Sequence, residues 1–500
     1  MIEAQVHGSL KSFLKSQDRP PNPWNHHLTM GRLVARALRV GKSALINTGS
    51  FPSVHSWGYL TAALLGGGSC VLVIEEPWRS LLMTNHLPEL QRFLGTSHCL
   101  DCDRLPDSGA QAQPTIYLIA PALWLQSHAL DLLPGDRVPW PMPVLIEQAD
   151  QLPDWVRQSL TRTITPQHWR ELKQWGSWEL IETYQIKLTQ EIFKRPSNPH
   201  QVYSFNEAIE ALLTQLFNQL QRDGRPLPRP WNLFEQQWAH SEQMNYLTID
   251  REQGLFSLHS SPLQVEEQLG QLLNHSSNVL VGNFGQKPYF HFDVELEHHT
   301  RVDFTPDHRC DPIQLYLPYS LPFPNTAEFA QDLITQLEQL LTVYDRHFVV
   351  LLIDDVPLKS KVGATLAGTF GSRVKIETTD IGRSGVLVAG WDFWTDHHSQ
   401  FPIPQLLVIS TLPLPSLEHP LVALRVEHHK RRKENWFKVY LLPAALRRMQ
   451  QAIAPVRQHQ GTIALLDTRV NARSYGPEVL QSLEPYTRIS KIHSLDLWGN

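Results

Sequence analysis

Thr48, Gly49 and Ser50 follow directly on the apolar run Ser43 to Asn47, and a turn of small residues at the end of a strand is where backbone N–H groups can cradle a phosphate. Such a turn also needs a lysine for the outer phosphates, and glycines that let the backbone close on its ligand. From Thr48 to Trp57 there is one glycine and no lysine, and Pro52 removes a donor N–H. Gly41-Lys42-Ser43 has suitable residue types but precedes the strand, and Arg36 stands where the pattern needs its first glycine. It reads as a solvated turn. Cys99 and Cys102 form a C-x-x-C pair with His98 beside it, yet zinc on these three would still need a fourth ligand. The neighbouring histidine pairs (26–27, 298–299, 397–398, 428–429) point in different directions on any helix or strand, so no metal is expected there. Lys430, Arg431 and Arg432 lie in the strongest basic run. They read either as a solvated helix end or as a groove contacting nucleic-acid phosphates. Trp391, Phe393 and Trp394 follow a buried-strand pattern; the two tryptophans are expected to stack on unpaired bases, and core packing is the safer reading for at least Phe393.

Positioning these residues requires a regular scaffold, and the pattern supplies one. Short apolar runs at Ser43 to Asn47, CVLVIE, Thr115 to Ala120 and Val144 to Glu147 alternate with segments of helical period, which predicts a doubly wound α/β domain. From about Thr165 to His240 the strand signal gives way to helix. There Ile209, Leu212, Leu213, Leu216, Phe217 and Leu220 share one face before a glycine stop. Strand signals return at NYLTIDRE, LFSLHSS and Asn278 to Gly282. A second α/β series, IQLYL, FVVLLID, VKIE, GVLVAG, QLLVIS and TIALLD, starts near Asp311. Five hundred residues exceed what one core organises, so two main domains are expected.

Hydrophobic residues make up 42% and charged residues 19%, the balance of a globular chain rather than a disordered or fibrous one. No apolar run approaches the roughly 20 residues a membrane span needs. The first residues show no secretory h-region, so a cytoplasmic, monomeric protein is the expectation. Four scattered cysteines exclude a disulfide framework. A net charge of −5 argues against a whole-surface nucleic-acid binder while leaving room for a local basic groove.

The second series carries the more specific signal. Gly385 to Trp394, the following PQLLVISTLPLPSLEHPLV, and the stretch from Phe437 to Gly476 with Leu466, Asp467, Arg469, Tyr475 and Gly476 in place resemble the XPD/DinG-type superfamily 2 DNA helicases from about Val349 to Pro485. In the first series, Val144 to Arg157 sits where that family has its acidic "I-D-E-A-H-N-L", and Val279 to Gly285 where it has "S-A-T-L". The resemblance implies two RecA-like doubly wound parallel-sheet lobes with a helical insertion in the first. The expected divisions are 1–165 for the start of the first lobe (95–113 being a vestigial cluster loop), 166–245 for the insertion, 246–310 for the rest of that lobe and 311–500 for the second.

The same resemblance implies ATP, Mg²⁺ and 5′-to-3′ unwinding of DNA, and it assigns roles that this chain fills poorly. Thr48, Gly49 and Ser50 take the phosphate-loop position, and Glu147, Gln148 and Asp150 the acidic motif. Glu147 could still face Mg²⁺, but Gln148 replaces the glutamate that accepts a proton from water, and loss of a general base costs about 10²–10⁴ in rate. Arg457 aligns with the distal arginine of the last motif, while Ala454 occupies the finger position, a loss of roughly 10³–10⁵. Only Cys99 and Cys102 fall in the family's cluster window, with Cys70 before it and Cys310 near the lobe junction, so a four-thiolate iron–sulfur cluster is not expected. The reading is a helicase-like protein with a degenerate nucleotide site and residual single-stranded DNA binding. Its alternatives are an active helicase with a rebuilt site and a non-enzymatic scaffold for a protein partner.

Overall fold

The structure is a computed structural model that describes residues 2–17, 24–48, 56–76, 78–102, 113–127, 142–222, 224–240, 242–274, 277–284, 300–304 and 312–490. Gly49, Ser50, Pro52, Gly285 and Cys310 of the sequence reading lie outside these residues.

The apolar runs form two parallel sheets, each with seven strands among the described residues. Across the first sheet the order is Thr300–Asp303, Ala44–Asn47, Asn278–Gly282, Val144–Ile146, Cys70–Val73, Thr115–Ile119 and Cys99–Cys102. The central strands are buried at every position, which is why they read as continuous apolar runs. Three of them lie side by side, in register Asn47↔Gly282 and Leu280↔Ile146. Their carboxyl ends therefore deliver Thr48, Asn283 and Glu147 to one edge of the sheet, where open α/β folds bind ligands. Gly41 and Lys42 sit at the opposite end of Ala44–Asn47 in an exposed turn, with Gly41 at φ 66°.

The second sheet runs Val374–Ile376, Val386–Ala389, Val349–Leu352, Leu406–Ile409, Thr462–Leu465, Ile313–Tyr316 and Tyr486–Ile489. These two parallel α/β layers are the two RecA-like lobes. The insertion differs from an all-helical segment because it carries its own antiparallel sheet. Gln243–Asp250 and Leu255–Pro262, which read as strands of the first lobe, pair with each other and with Val202–Ser204 and Arg162–Ile164. Their burial alternates, as one-sided sheets require. Against them pack the insertion helices, including Glu207–Arg222, which buries Ile209, Leu213, Leu216, Phe217 and Leu220. Asn206 Oδ1 accepts the Ile209 N–H at the helix start, and Gly224 at φ 64° follows its end. No helix of the described residues is long and apolar enough to cross a membrane.

The second lobe corrects one expectation. Trp391 and Trp394 are 0% and 1% exposed and belong to the core beneath the sheet. The Trp394 Nε1–H donates to Ala452 O at 2.9 Å. A ring with no accessible face cannot stack on a base, so neither tryptophan belongs to a nucleic-acid surface. Trp394→Ala is expected to destabilise the protein by about 3–5 kcal/mol in denaturant unfolding, through lost burial and an orphaned carbonyl.

Candidate functional site

Glu147 closes the strand Val144–Ile146, and its N–H bonds Val73 O across the sheet at 3.0 Å. The chain then turns through Gln148 at φ 52°, ψ 38°, a left-handed conformation that costs a residue with a side chain on the order of 1 kcal/mol. A single short turn, Ala149–Gln151, leads into the helix Leu152–Leu160, with Pro153 near its start and Asp154 in its first turn. The strained turn points the polar groups of residues 147–150 inward: Glu147 is 3% and Asp150 7% exposed.

Each carboxyl has found a protein partner. Tyr59, on the helix Ser56–Leu65, hydrogen-bonds Glu147 through its phenol. Burial is the main cause that pushes Glu147 up to about 8; the Tyr59 hydrogen bond opposes that rise, and nearby Asp150 adds to it. At neutral pH this carboxyl is therefore mostly protonated. Asp150 Oδ1 accepts the Asn283 N–H at 3.1 Å. That approach depends on Gly282, where a Cβ would lie 2.5 Å from Asp150 Oδ1 and 2.9 Å from its backbone nitrogen. Burial raises the Asp150 carboxyl while Arg447 opposes the rise.

The second lobe completes the site. Arg447 Nη1 donates to Asp150 O at 3.3 Å, and Asn283 Nδ2 donates to Gln450 Oε1 at 3.0 Å. Both Arg447 and Gln450 lie on the helix Leu442–Gln458. Sequence reasoning missed Arg447. Its only signal is a cation on the helix that carries the last motif, and side-chain reach across the cleft is a tertiary property. Arg457 of the same helix donates to Leu483 O and Pro485 O, at 2.7 and 3.2 Å, within its own lobe.

Glu147 Oε2, Gln148 Oε1 and Asp150 Oδ2 are buried acceptors with no hydrogen-bond partner. These residues do not fit Mg²⁺–ATP. Mg²⁺ prefers ionised carboxylates and substrate phosphates. Here burial raises the Glu147 carboxyl to about 8, and the neighbouring amide of Gln148 cannot accept a proton from water. No lysine follows the first strand before Trp57. Thr48, the described member of the phosphate-loop trio, uses its N–H on Gly282 O at 2.9 Å.

The remaining site residues lie elsewhere. Lys430, Arg431 and Arg432 are exposed at the end of the helix Pro420–Arg431. Arg431 approaches Glu427 at 3.8 Å, Arg432 pairs with Glu434 at 2.8 Å, and Lys430 lies 5.5 Å over the Trp436 ring. Cys99 and Cys102 are exposed on an edge strand. Among the described residues, no group of three or more His, Cys, Asp and Glu side chains could hold a metal ion.

Two predictions follow from this geometry. Gly282→Ala should destabilise the protein by about 2 kcal/mol or more, because backbone as well as a side chain must move, and chemical denaturation measures it. Glu147 has a folded-state pKa of about 8 against an ordinary 4.5. Its contribution to stability is therefore full below pH 4.5 and is lost as pH rises through 8. Glu147→Gln should flatten that fall and raise the melting temperature at pH 8. A variant less stable than the parent at pH 8 would mean that Glu147 is ionised and held by a cation.

Known proteins bear on this site in three ways. Residues 387–486 match the helicase C-terminal domain family. The 3′-5′ exonuclease DinG of Bacillus subtilis (strain 168) is 30% identical over 135 residues, which are 26% of this chain and 14% of that protein. Among solved structures, the S. tokodaii Xpd4 structure superposes with a TM-score of 0.59 at 13% identity, and an XPD helicase with 0.58 at 11%; each covers 93% of this chain and 99% of the other. The chain thus carries a match to the helicase C-terminal domain family over residues 387–486, within a fold similar to that of XPD helicases over nearly its whole length, and it spans only a small part of the DinG relative that it matches.

Proposed function

We propose that this protein is a helicase-fold protein that does not turn over ATP and that retains binding of single-stranded DNA through its second lobe. The observation that carries the first half is the capture of Glu147: the carboxyl at the metal position is buried, protonated and bonded to Tyr59, next to an amide where a base is required. Arg447 and Gln450 of the second lobe hydrogen-bond the Asp150 carbonyl and the Asn283 side chain of the first. An enzyme of this fold instead uses positioned charges, metal and an arginine finger to stabilise the transferred phosphoryl group.

The second half rests on the exposed run Lys430, Arg431 and Arg432. Carboxylates at Glu427 and Glu434 offset part of its charge, so binding is expected to be weak and strongly salt-dependent. That same pairing favours the second reading, a scaffold for a protein partner, in which these residues are a solvated helix end. The exonuclease activity in the name of the Bacillus subtilis relative is not carried over, since the matched stretch is 14% of that protein.

Phosphate release with Mg²⁺–ATP and single-stranded DNA is expected to stay at the blank level; DNA-stimulated turnover would show that the site has been rebuilt. Fluorescence anisotropy with a labelled oligo-dT should give binding that the Lys430→Ala, Arg431→Ala, Arg432→Ala triple variant weakens by about tenfold at moderate salt. Absent binding, or binding unchanged in that variant, leaves the scaffold reading.

A further inference from the structure

Away from the inter-lobe acidic site, a cavity of about 380 Å³ lies where three parts of the chain meet. Arg157 enters it from the helix Leu152–Leu160, Thr163, Tyr246 and His259 from the insertion sheet, and Arg425 from the second lobe's helix Pro420–Arg431. Its size is that of a small-ligand site.

The electrostatics of this cavity are unbalanced. Arg157 Nη1 bonds Asp154 Oδ1 at 2.7 Å, and Arg425 Nη2 stands 4.0 Å from the same oxygen. Two guanidiniums thus converge on one carboxylate oxygen. Asp154 is the loosest of the three, 60% exposed against 15% for Arg157 and 25% for Arg425. Solvent screens such a partner, so it neutralises the pair incompletely.

The Nε atoms of both arginines are buried without a hydrogen-bond partner. Burial and the nearby Arg425 both depress the Arg157 guanidinium, with Asp154 and Glu266 opposing. Arg425 Nη1 donates to the Tyr440 hydroxyl at 3.4 Å and lies 5.6 Å over its ring, which fixes the head group in place. Unsatisfied charged donors held beside a like charge cost free energy until an anion meets them. The planar guanidinium fork is matched to phosphate oxygens.

The opposite wall is rigid and aromatic. Tyr246 stacks on His259 at 4.7 Å with ring planes 12° apart. Both His259 nitrogens are engaged, with Thr163 and Thr248 hydroxyls at 3.0 Å each. Burial lowers His259 to about 4, so it adds no charge of its own at neutral pH. Tyr246 is half-buried, offering a ring surface to whatever carries the anion.

We propose that this cavity binds a phosphate oxyanion between Arg157 of the first lobe and Arg425 of the second, displacing the carboxylate of Asp154. Because the two arginines come from different lobes, the bound anion ties the lobes together without nucleotide hydrolysis. The oxyanion can be a free phosphate or the backbone phosphate of a single strand, and the two sources are separable.

On the full-length protein, inorganic phosphate is titrated by calorimetry and a labelled oligo-dT by anisotropy. Arg157→Gln and Arg425→Gln are each expected to weaken whichever of the two binds by about tenfold or more. Asp154→Asn should tighten it several-fold, a gain that misfolding cannot imitate. Loss with inorganic phosphate alone assigns a free-phosphate site; loss with the oligonucleotide assigns a strand-binding subsite. The inference fails if neither ligand binds, or if both affinities are unchanged in all three variants. If oligo-dT binding falls in the Lys430, Arg431, Arg432 variant but not in the Arg157 and Arg425 variants, the cavity inference fails while single-strand binding stands.

Discussion

The Glu147 carboxyl stands buried at the end of a parallel strand, hydrogen-bonded to the Tyr59 phenol and close to Asp150. Water is excluded, so the charged form is penalised and the proton stays. The rest of the cleft follows from that constraint. A neutral Glu147 tolerates Asp150 nearby, because two ionised carboxylates at this depth would repel strongly. The strained Gln148 turn and the close approach at Gly282 then lock the segment against the neighbouring strand.

This arrangement changes what holds the lobes together. In an ATP-driven enzyme of this fold, the nucleotide supplies much of the contact between the lobes and its hydrolysis releases it. Here protein groups make the contact directly: Arg447 to the Asp150 carbonyl, and Asn283 to Gln450. A second junction forms where the helix Pro420–Arg431 packs against the strands Val202–Ser204 and Gln243–Asp250 of the insertion. Together the two junctions join the lobes through protein groups at separate places. The insertion sheet thereby acts as a brace between the lobes as well as a decoration on the first.

Much of the scaffold was legible in sequence because a strand buried on both faces is apolar along most of its length. Val144–Ile146, Asn278–Gly282, Val349–Leu352 and Thr462–Leu465 all declare themselves this way. The helix Glu207–Arg222 was legible from its apolar stripe and glycine stop. The allegiance of Gln243–Asp250 and Leu255–Pro262 was not: period-two alternation marks a strand but does not name its sheet. Trp391 and Trp394 show a related ambiguity, since an aromatic residue after a strand serves a core and a stacking surface equally well until its neighbours are known.

The sequence by itself determined the strand set and the two-lobed class, since these are properties of local pattern and residue identity. Only the tertiary structure decided that Glu147 meets Tyr59, that Arg447 reaches the first lobe, and that Arg157 and Arg425 share one cavity. Each of these depends on side chains far apart in the chain arriving within a few ångströms of each other. A pKa or a salt bridge is set by that distance and by the water excluded around it, which no one-dimensional pattern records.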